Sequence, residues 1–341
     1  MTHVLEASLP NADSMRRQLL TDGYINDPEA EITALTGGVS SDIYRVNDGE
    51  RVFVIKRALE KLRVKDDWYA DISRNRFELA YLQCVAGFLP DAVPDVLFSN
   101  AERGYFAMEF LGEDFSNWKE LLLAGVCEIH HASIAGKMLA TIHRQTWGDK
   151  KVQANFESKE NFHQLRIEPY LLTTAERHPE LSTCIRAEAQ RLHQTQLCLV
   201  HGDYSPKNLM LSSGHFVILD CEVAWFGDPV FDIAFLLNHL LLKSLHLDKN
   251  RTSCIELTHA AWMAYCDELG ETLISSAVAP FLHILLPMLM LARVDGKSPV
   301  EYLADEQKKQ TLRKFAYQVL RETPKDVTEL FDKWQKNLEQ P

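Results

Sequence analysis

Three oxygen-bearing side chains in the second half of the chain have the types and spacing that phosphoryl transfer requires. Asp203 and Asn208 lie in LVHGDYSPKNLML, residues 199–211, and Asp220 follows in VILDCEVAWFGDP, residues 217–229. The reaction needs a carboxylate that orients and deprotonates the attacking hydroxyl, and oxygen ligands for the Mg²⁺ that bridges the nucleotide phosphates. This spacing predicts Asp203 as the base, with Asn208 and Asp220 as metal ligands.

Two short β-rich stretches must position these side chains. LCLVHGD, residues 197–203, and HFVILDCE, residues 215–222, are apolar runs that end in charged residues, as strands do. A strand that ends at Asp203, a loop that carries Asn208 and a hairpin strand that ends at Asp220 can bring three oxygen ligands to one point. The alternative is that these residues only cap turns and end a hairpin, but the strand context favours the chemical interpretation.

The HGDxxxxN pattern of residues 201–208 resembles the catalytic loop of the aminoglycoside phosphotransferase and choline kinase family of small-molecule kinases. LTGGVSSDIYRV, residues 35–46, is similar to that family's phosphate-covering loop, and FVIK, residues 53–56, to the strand that presents a phosphate-binding lysine. The resemblance implies an α+β, bilobal protein-kinase-like fold with a small antiparallel-sheet N-lobe and a larger, mostly helical C-lobe. It also implies ATP and Mg²⁺ as cofactors and a small-molecule hydroxyl as the acceptor.

Four small residues of the predicted phosphate loop are candidates for nucleotide binding. Gly37 and Gly38 would let the backbone approach phosphate oxygens, and Ser40 and Ser41 would add hydroxyl and amide donors. The alternative for the glycine pair is an ordinary tight turn.

Lys56 lies within an apolar strand, where an ammonium group is usually paired with an acid. Glu78, on a predicted helix, is the expected partner, and Glu60 is a competitor. The resemblance implies that this ion pair holds Lys56 against the α- and β-phosphates. The alternative is a lysine that extends into solvent from a strand edge.

The same resemblance assigns roles to residues beside the motifs. Backbone groups from Glu109 to Leu111 would bind the adenine edge, with Met108 beside it; the alternative is a simple core strand end. His201 would brace the catalytic loop rather than act as a base, and Asp232 would hydrogen-bond the backbone of that loop. Glu222 makes an Asp-x-Glu pattern and would bind metal or substrate, because residues two apart on a strand share a face; a solvated strand end is the alternative.

Apolar periodicity divides the chain into two parts. From about residue 31 to residue 111, β-branched stretches around an Asn-Asp-Gly turn predict strands, with one helix within residues 74–85. Nearly every later segment has helical periodicity. We expect an N-terminal nucleotide-binding lobe over residues 1–111, with a helical leader at 1–25, and a C-terminal helical lobe over residues 112–341 that carries the catalytic loop and the acceptor site.

Composition limits the class of protein. The 341 residues include 36 basic and 48 acidic side chains, for a net charge of −12, and 46% are hydrophobic. Disorder and unspecific nucleic-acid binding are therefore not expected. Seven scattered cysteines without a CxxC pair and an N-terminus without a signal-peptide pattern indicate a cytoplasmic protein. Two apolar runs, residues 229–242 and 277–292, are shorter than the ~20 residues of a membrane span and are interpreted as core helices.

The acceptor and the rival functions stay open at this level. Aminoglycosides, choline-like amino alcohols, homoserine and sugars such as methylthioribose are all compatible, and Asp-x-Glu and the long linker over residues 56–76 resemble methylthioribose kinases. Arg293 and Asp295 could reach the acceptor as the C-terminal arginines of those kinases do, or lie in solvent.

Three other functions are considered: a protein kinase, a non-catalytic nucleotide-binding module and a scaffold protein. The short segment from Asp220 to Asp232 disfavours the protein kinase.

Overall fold

The computed structural model describes residues 12–35, 41–59 and 74–339. The chain divides into two compact units, Met1–Glu113 and Asp114–Pro341.

The first unit is built on a five-stranded antiparallel sheet in the order β1-β2-β3-β5-β4. Its strands are β1 (Glu31–Ala34), β2 (Ser41–Asn47), β3 (Val52–Ala58), β4 (Val96–Asn100) and β5 (Tyr105–Glu109). The Asn-Asp-Gly motif makes the predicted turn between β2 and β3, where Gly49 has a φ of +85° and its N–H donates to Oδ1 of Asn47. The pairing of β3 with β5 sets Lys56 opposite Phe106.

Helices α1 (Ala12–Thr21) and α2 (Arg74–Ala86) supply the rest of the first unit. Met15 and Leu19 of α1 join a core cluster with Tyr44 and Phe53 of the sheet. Tyr81 of α2 is fully buried. Burial of each large apolar side chain stabilises the fold by about 1.5–3 kcal/mol, which fixes the strands that carry the candidate site.

The second unit is mostly helical. Its helices are α3 (Trp118–Leu123), α4 (Ile129–Thr146), α5 (Lys150–Asn155), α6 (Lys159–Phe162), α7 (Thr173–Arg177), α8 (Ser182–Gln194), α9 (Pro229–His246), α10 (Arg251–Leu269), α11 (Glu271–Leu273), α12 (Ala279–Asp295), α13 (Glu306–Arg321) and α14 (Val327–Glu339). Two segments, His163–Leu172 and Ile274–Val278, are π-helical. Strands β6 (Ser116–Asn117), β8 (Leu209–Ser212) and β9 (His215–Ile218) form one small sheet, and β7 (Cys198–Val200) pairs with β10 (Trp225–Gly227).

Helix α9 is the centre of this unit. Asp228 caps its N-terminus by accepting a hydrogen bond from the backbone N–H of Val230, and every residue of the helix up to Leu245 is buried. A helix that is apolar on all sides must be surrounded by protein. Around it, α4 and α10 approach closely at Gly136, where an added Cβ would lie 2.2 Å from the carbonyl oxygen of Ala261.

One helical stretch, Glu271–Asp295, is long and apolar enough to pass for a membrane span, and half of its most apolar window is buried in the protein. Helices α9 and α10 reach the length and hydropathy of a membrane span only when they are taken together, and the chain bends by 116° between them. From Leu285 to Val294 every residue of α12 is buried. Its contacts with α9 and α13 are those of a core helix.

Candidate active site

A buried ion pair joins β3 to α2 in the first unit. The Nζ atom of Lys56 lies 2.7 Å from Oε1 of Glu78, and each side chain is 2% exposed. Such burial is costly for an isolated charge, so the carboxylate is what permits an ammonium at this position in the strand. The structure therefore brings together the lysine and the glutamate that the sequence singled out, whereas Glu60 lies outside the described residues.

The predicted adenine contacts lie at the end of β5. Met108 is buried and Glu109 is exposed, and Leu111 follows two residues after the strand ends. The backbone N–H of Glu109 donates to the carbonyl oxygen of Asp95 at 2.8 Å. A contact between Glu109 and an adenine edge would therefore fall to its carbonyl oxygen.

Residues 36–40 of the predicted phosphate loop lie outside the described residues. This applies to Gly37, Gly38 and Ser40. Ser41 is described: it is the first residue of β2, it is buried, and it pairs across the sheet with Ala58. Ser41 therefore lies in the strand that neighbours Lys56 in the sheet.

The predicted catalytic loop of the second unit begins where β7 ends. The chain turns sharply at Gly202, whose φ is +79° and where a Cβ would lie 2.8 Å from the carbonyl oxygen of Val223. Asp203 follows, and Asn208 closes the loop at the end of a short 3₁₀ helix. Nδ2 of Asn208 donates to Oδ2 of Asp203 at 2.9 Å and to its carbonyl oxygen at 3.0 Å. Since both bonds use Nδ2, the Oδ1 atom of Asn208 is left as an oxygen ligand.

Asp232, fully buried on α9, holds the start of this loop. Its two carboxylate oxygens accept the backbone N–H groups of His201, at 2.7 Å, and Gly202, at 2.9 Å. Nε2 of His143 lies 3.4 Å from the same carboxylate, and Nδ1 of His143 lies 2.9 Å from the hydroxyl of Tyr265. A charge-assisted pair of bonds of this kind fixes the backbone from which Asp203 projects.

Both ring nitrogens of His201 have partners, one inside the loop and one just after β9. Nδ1 accepts the backbone N–H of Asp203 at 3.1 Å, and Nε2 lies 3.2 Å from the carbonyl oxygen of Leu219. Burial lowers the pKa of His201, although the carboxylates of Asp232, Asp203 and Asp220 act in the opposite direction. These bonds suit a neutral imidazole that braces the loop and has no ring nitrogen left to take a proton from a substrate.

Arg166, which the sequence reasoning missed, contacts the candidate base. Nη2 of Arg166 lies 3.2 Å from Oδ2 of Asp203, while Nε donates to the carbonyl oxygen of Gly202 and Nη1 to that of Leu165. Burial would lower the pKa of this guanidinium, but the nearby carboxylates, that of Asp203 first, raise it above its usual value. A permanent positive charge is therefore fixed beside Asp203.

No spacing rule could have identified this arginine. Arg166 lies 37 residues before Asp203, in the π-helical segment His163–Leu172. The wider turn of a π-helix changes which residues share a face, so the periodicity of an ordinary helix gives no signal here.

The two remaining candidate metal ligands follow the β8–β9 hairpin. The backbone N–H of Leu219 donates to the carbonyl oxygen of Asn208 at 2.9 Å, which places Asp220 beside Asn208. Asp220 has a φ of +60°, which a non-glycine residue rarely adopts. Glu222 is buried, and its carbonyl oxygen accepts a hydrogen bond from Asn161 at 2.8 Å. An amide oxygen and two carboxylates are the hard ligands that Mg²⁺ prefers, so this donor set fits the ion.

Arg293 and Asp295 do not lie in open solvent. Arg293 is 9% exposed and donates to the hydroxyl of Tyr170 at 3.0 Å. Asp295 binds Arg313 at 2.7 Å and His178 at 3.0 Å, and these two partners hold its pKa well below the usual range although burial opposes them. Asp295 is therefore engaged in a structural network of the second unit.

Comparison with known proteins places the chain in a family. The model of the phosphotransferase enzyme family matches residues 31–248. Methylthioribose kinase 1 of Oryza sativa subsp. japonica is 26% identical over 261 residues, which cover 64% of this chain and 60% of that protein. The methylthioribose kinase of Pectobacterium atrosepticum is 23% identical over 250 residues, covering 64% and 62%. The chain thus spans about 60% of the length of these two relatives.

Solved structures show the fold. Amicoumacin kinase hAmiN, in complex with AMP-PNP, Ca²⁺ and Ami, has a TM-score of 0.55 at 15% identity, over 90% of this chain and 94% of that one. An ethanolamine kinase of Plasmodium vivax has a TM-score of 0.52 at 13% identity, over 95% and 86%. These likenesses confirm the expected α+β, protein-kinase-like fold.

The matched region runs from the start of β1 to two residues beyond the end of α9. It contains Lys56, the loop from His201 to Asn208, and both Asp220 and Asp232. More than half of the chain is therefore accounted for by one family, with the ion pair and the braced loop inside it. The chain belongs to the phosphotransferase enzyme family.

Proposed function

We propose that this protein is a kinase that uses ATP and Mg²⁺ to phosphorylate a hydroxyl group of a small molecule of the aminoglycoside, choline or methylthioribose type. The observation that carries the proposal is the geometry of Asp203. Its carboxylate is oriented by Asn208 at 2.9 Å and Arg166 at 3.2 Å, on a loop fixed by Asp232. A carboxylate held in this way is suited to accept a proton from a hydroxyl group.

In the proposed reaction, Asp203 accepts the proton of the acceptor hydroxyl while its oxygen attacks the γ-phosphorus. The bond from phosphorus to the bridging oxygen breaks, and ADP leaves with that oxygen. Asn208, Asp220 and Glu222 would hold Mg²⁺, which neutralises charge on the phosphates when it is bound. Lys56, kept in place by Glu78, would bind the α- and β-phosphates.

The remaining nucleotide contacts are assigned by the same proposal. Gly37, Gly38, Ser40 and Ser41 would cover the phosphates. Backbone groups of Glu109 and Leu111 would bind the adenine edge. Within the described residues, none of the seven cysteines forms a disulfide bond, which supports a reducing, cytoplasmic location for the enzyme.

The test is ADP release from MgATP in the presence of aminoglycosides, amino alcohols, methylthioribose and hydroxy acids. Asp203→Asn should lower kcat by about a thousandfold and change the KM for MgATP by less than about threefold, because the variant loses only the proton acceptor. Asp332→Asn, at an exposed position, is the matched control and should behave as the wild type.

Three results would contradict the proposal. Full activity of Asp203→Asn would show that Asp203 is not the base. Loss of MgATP binding in that variant would assign Asp203 a structural role. Tight MgATP binding by the wild type without ADP release for any acceptor would favour the non-catalytic nucleotide-binding module.

A further inference from the structure

A lysine on α9 is buried inside the second unit. Lys243 is 1% exposed, and its Nζ atom donates to the carbonyl oxygen of His239 at 3.3 Å. The same Nζ atom lies 5.3 Å from the ring centre of Tyr302. Among the described residues no carboxylate forms an ion pair with it. Burying an ammonium group without a counter-ion costs free energy, so the burial of Lys243 must have a structural or functional reason.

A second buried cation, Arg293 on α12, also has neutral partners. Its Nη1 atom donates to the hydroxyl of Tyr170 at 3.0 Å and to the Oγ atom of Ser298 at 3.1 Å. Within the part of the chain that the structure describes, its buried Nε atom has no hydrogen-bond partner, and neither does the buried hydroxyl of Tyr302. Two cations and a phenol thus keep unused donors in the interior.

The electrostatics show that these groups act on one another. The pKa of Lys243 is lowered to about 7, chiefly by burial; Lys119 and Arg293 act in the same direction, and Cys254 and Glu301 in the opposite one. Burial, Arg293 and Lys243 together hold the pKa of His239 well below its usual range. The acid nearby, Glu301, already forms an ion pair with Lys119. The group therefore has an excess of positive charge.

The ring of Tyr170 contacts both Arg293 of this cluster and Arg166, the neighbour of the candidate base. The guanidinium carbon of Arg293 lies 5.5 Å from the ring centre of Tyr170, and that of Arg166 lies 5.7 Å from it. Arg166 is the residue that contacts Asp203. Phe235 packs against both Tyr170 and His239: its ring centre lies 5.7 Å from that of Tyr170 and 5.0 Å from that of His239.

We propose that Lys243, Arg293, His239 and Tyr302 form an anion subsite that binds a carboxylate or phosphate group carried by the acceptor. The acceptor is then a hydroxylated acid, and an amine would be repelled by the guanidinium of Arg293 and by Lys243 in its protonated form. This inference rests on the proposed kinase function for the role of the hydroxyl, but the subsite itself binds an anion whether or not phosphoryl transfer occurs. The local charge is opposite to the net charge of −12 of the whole chain, so net charge alone points to the wrong acceptor class.

The first experiment measures anion binding without any acceptor. Inorganic phosphate, compared with chloride at equal ionic strength, should raise the Tm of the wild type by about 2 °C or more. Lys249→Met, at an exposed position of the same chain segment, should show the same rise. Lys243→Met should lose it. An equal rise in all three proteins, or none in the wild type, would overturn the subsite.

The second experiment measures which acceptor is phosphorylated. Gluconate, sorbitol and glucamine share one polyol chain and differ in carrying a carboxylate, a neutral end or an amine. With MgATP, kcat/KM should be at least about tenfold higher for gluconate, and Lys243→Met should abolish that preference. A preference for sorbitol or glucamine would refute the acceptor class. If none of the three is phosphorylated, the kinase proposal loses support, whereas the phosphate titration still decides the subsite.

Discussion

Replacing Lys243 by methionine should stabilise the protein at neutral and acidic pH, and the gain should disappear in base. Lys243 is 1% exposed, and burial lowers its pKa from 10.5 to about 7. Methionine has a similar length and no charge, so it can fill the same space without the desolvation cost of an ammonium group.

The direction of this pH dependence follows from the number of protons bound by the folded and the unfolded chain. Below about pH 7 the lysine is protonated in both the folded and the unfolded chain, and the folded state bears the full cost of its burial. Between about pH 7 and 10.5 the unfolded chain keeps the proton that the folded one has lost, so the free energy of unfolding of the wild type rises with pH. A shift from 10.5 to about 7, at about 1.4 kcal/mol per unit, corresponds to roughly 5 kcal/mol. Local relaxation makes this an upper bound.

The assay is denaturant unfolding of wild type, Lys243→Met and Lys249→Met from about pH 6 to about pH 10, in chloride buffers free of phosphate and carboxylates. The stability difference between Lys243→Met and wild type should shrink steadily over this range, while Lys249→Met follows the wild type throughout. A difference that stays constant with pH would refute the reasoning, because it would show that the buried amine is not titrating.

Substitutions at Gly202, Asp232 and the Lys56–Glu78 pair test the elements around the site. Gly202→Ala should lower the free energy of unfolding by about 1–3 kcal/mol and reduce ADP release, since φ is +79° and the Cβ would lie 2.8 Å from the carbonyl oxygen of Val223; unchanged thermal unfolding would contradict this. Asp232→Ala should cost about 3 kcal/mol in urea unfolding because two buried backbone N–H groups lose their acceptor, and Asp232→Asn should cost less; equal costs would argue against the hydrogen bonds. Lys56→Met should cost about 3–5 kcal/mol by leaving Glu78 buried without its ammonium, and the double variant with Glu78→Gln should recover most of it in a double-mutant cycle.

The sequence could predict what depends on neighbouring residues. Asp203 and Asn208 belong to one short loop, and their side chains bond as that spacing suggests. The Asn-Asp-Gly turn could also be predicted, because turn chemistry depends on adjacent residues. The pairing of Lys56 with Glu78 could be predicted because a lysine buried in an apolar strand needs an acidic partner. The family resemblance and the protein-kinase-like fold are confirmed by the comparisons.

Contacts between segments that lie far apart in the sequence could not be predicted. Arg166 meets Asp203 only because a π-helical segment presents it there. Arg293 follows an apolar run, where a basic residue commonly lies in solvent, yet Tyr170 and Ser298 enclose it. Lys243 is in the last turn of α9, a usual place for an exposed cation, and its burial depends on packing that periodicity does not encode.

The three bonds of Arg166 affect how chimeras of this family should be designed. Its guanidinium ties the segment His163–Leu172 to the carbonyl oxygen of Gly202 and to the carboxylate of Asp203. A graft that replaces this segment with one lacking an arginine at position 166 also removes the cation beside the base. Exchanges of this segment should therefore keep an arginine at position 166, so that altered substrate preference is not confused with a disturbed base.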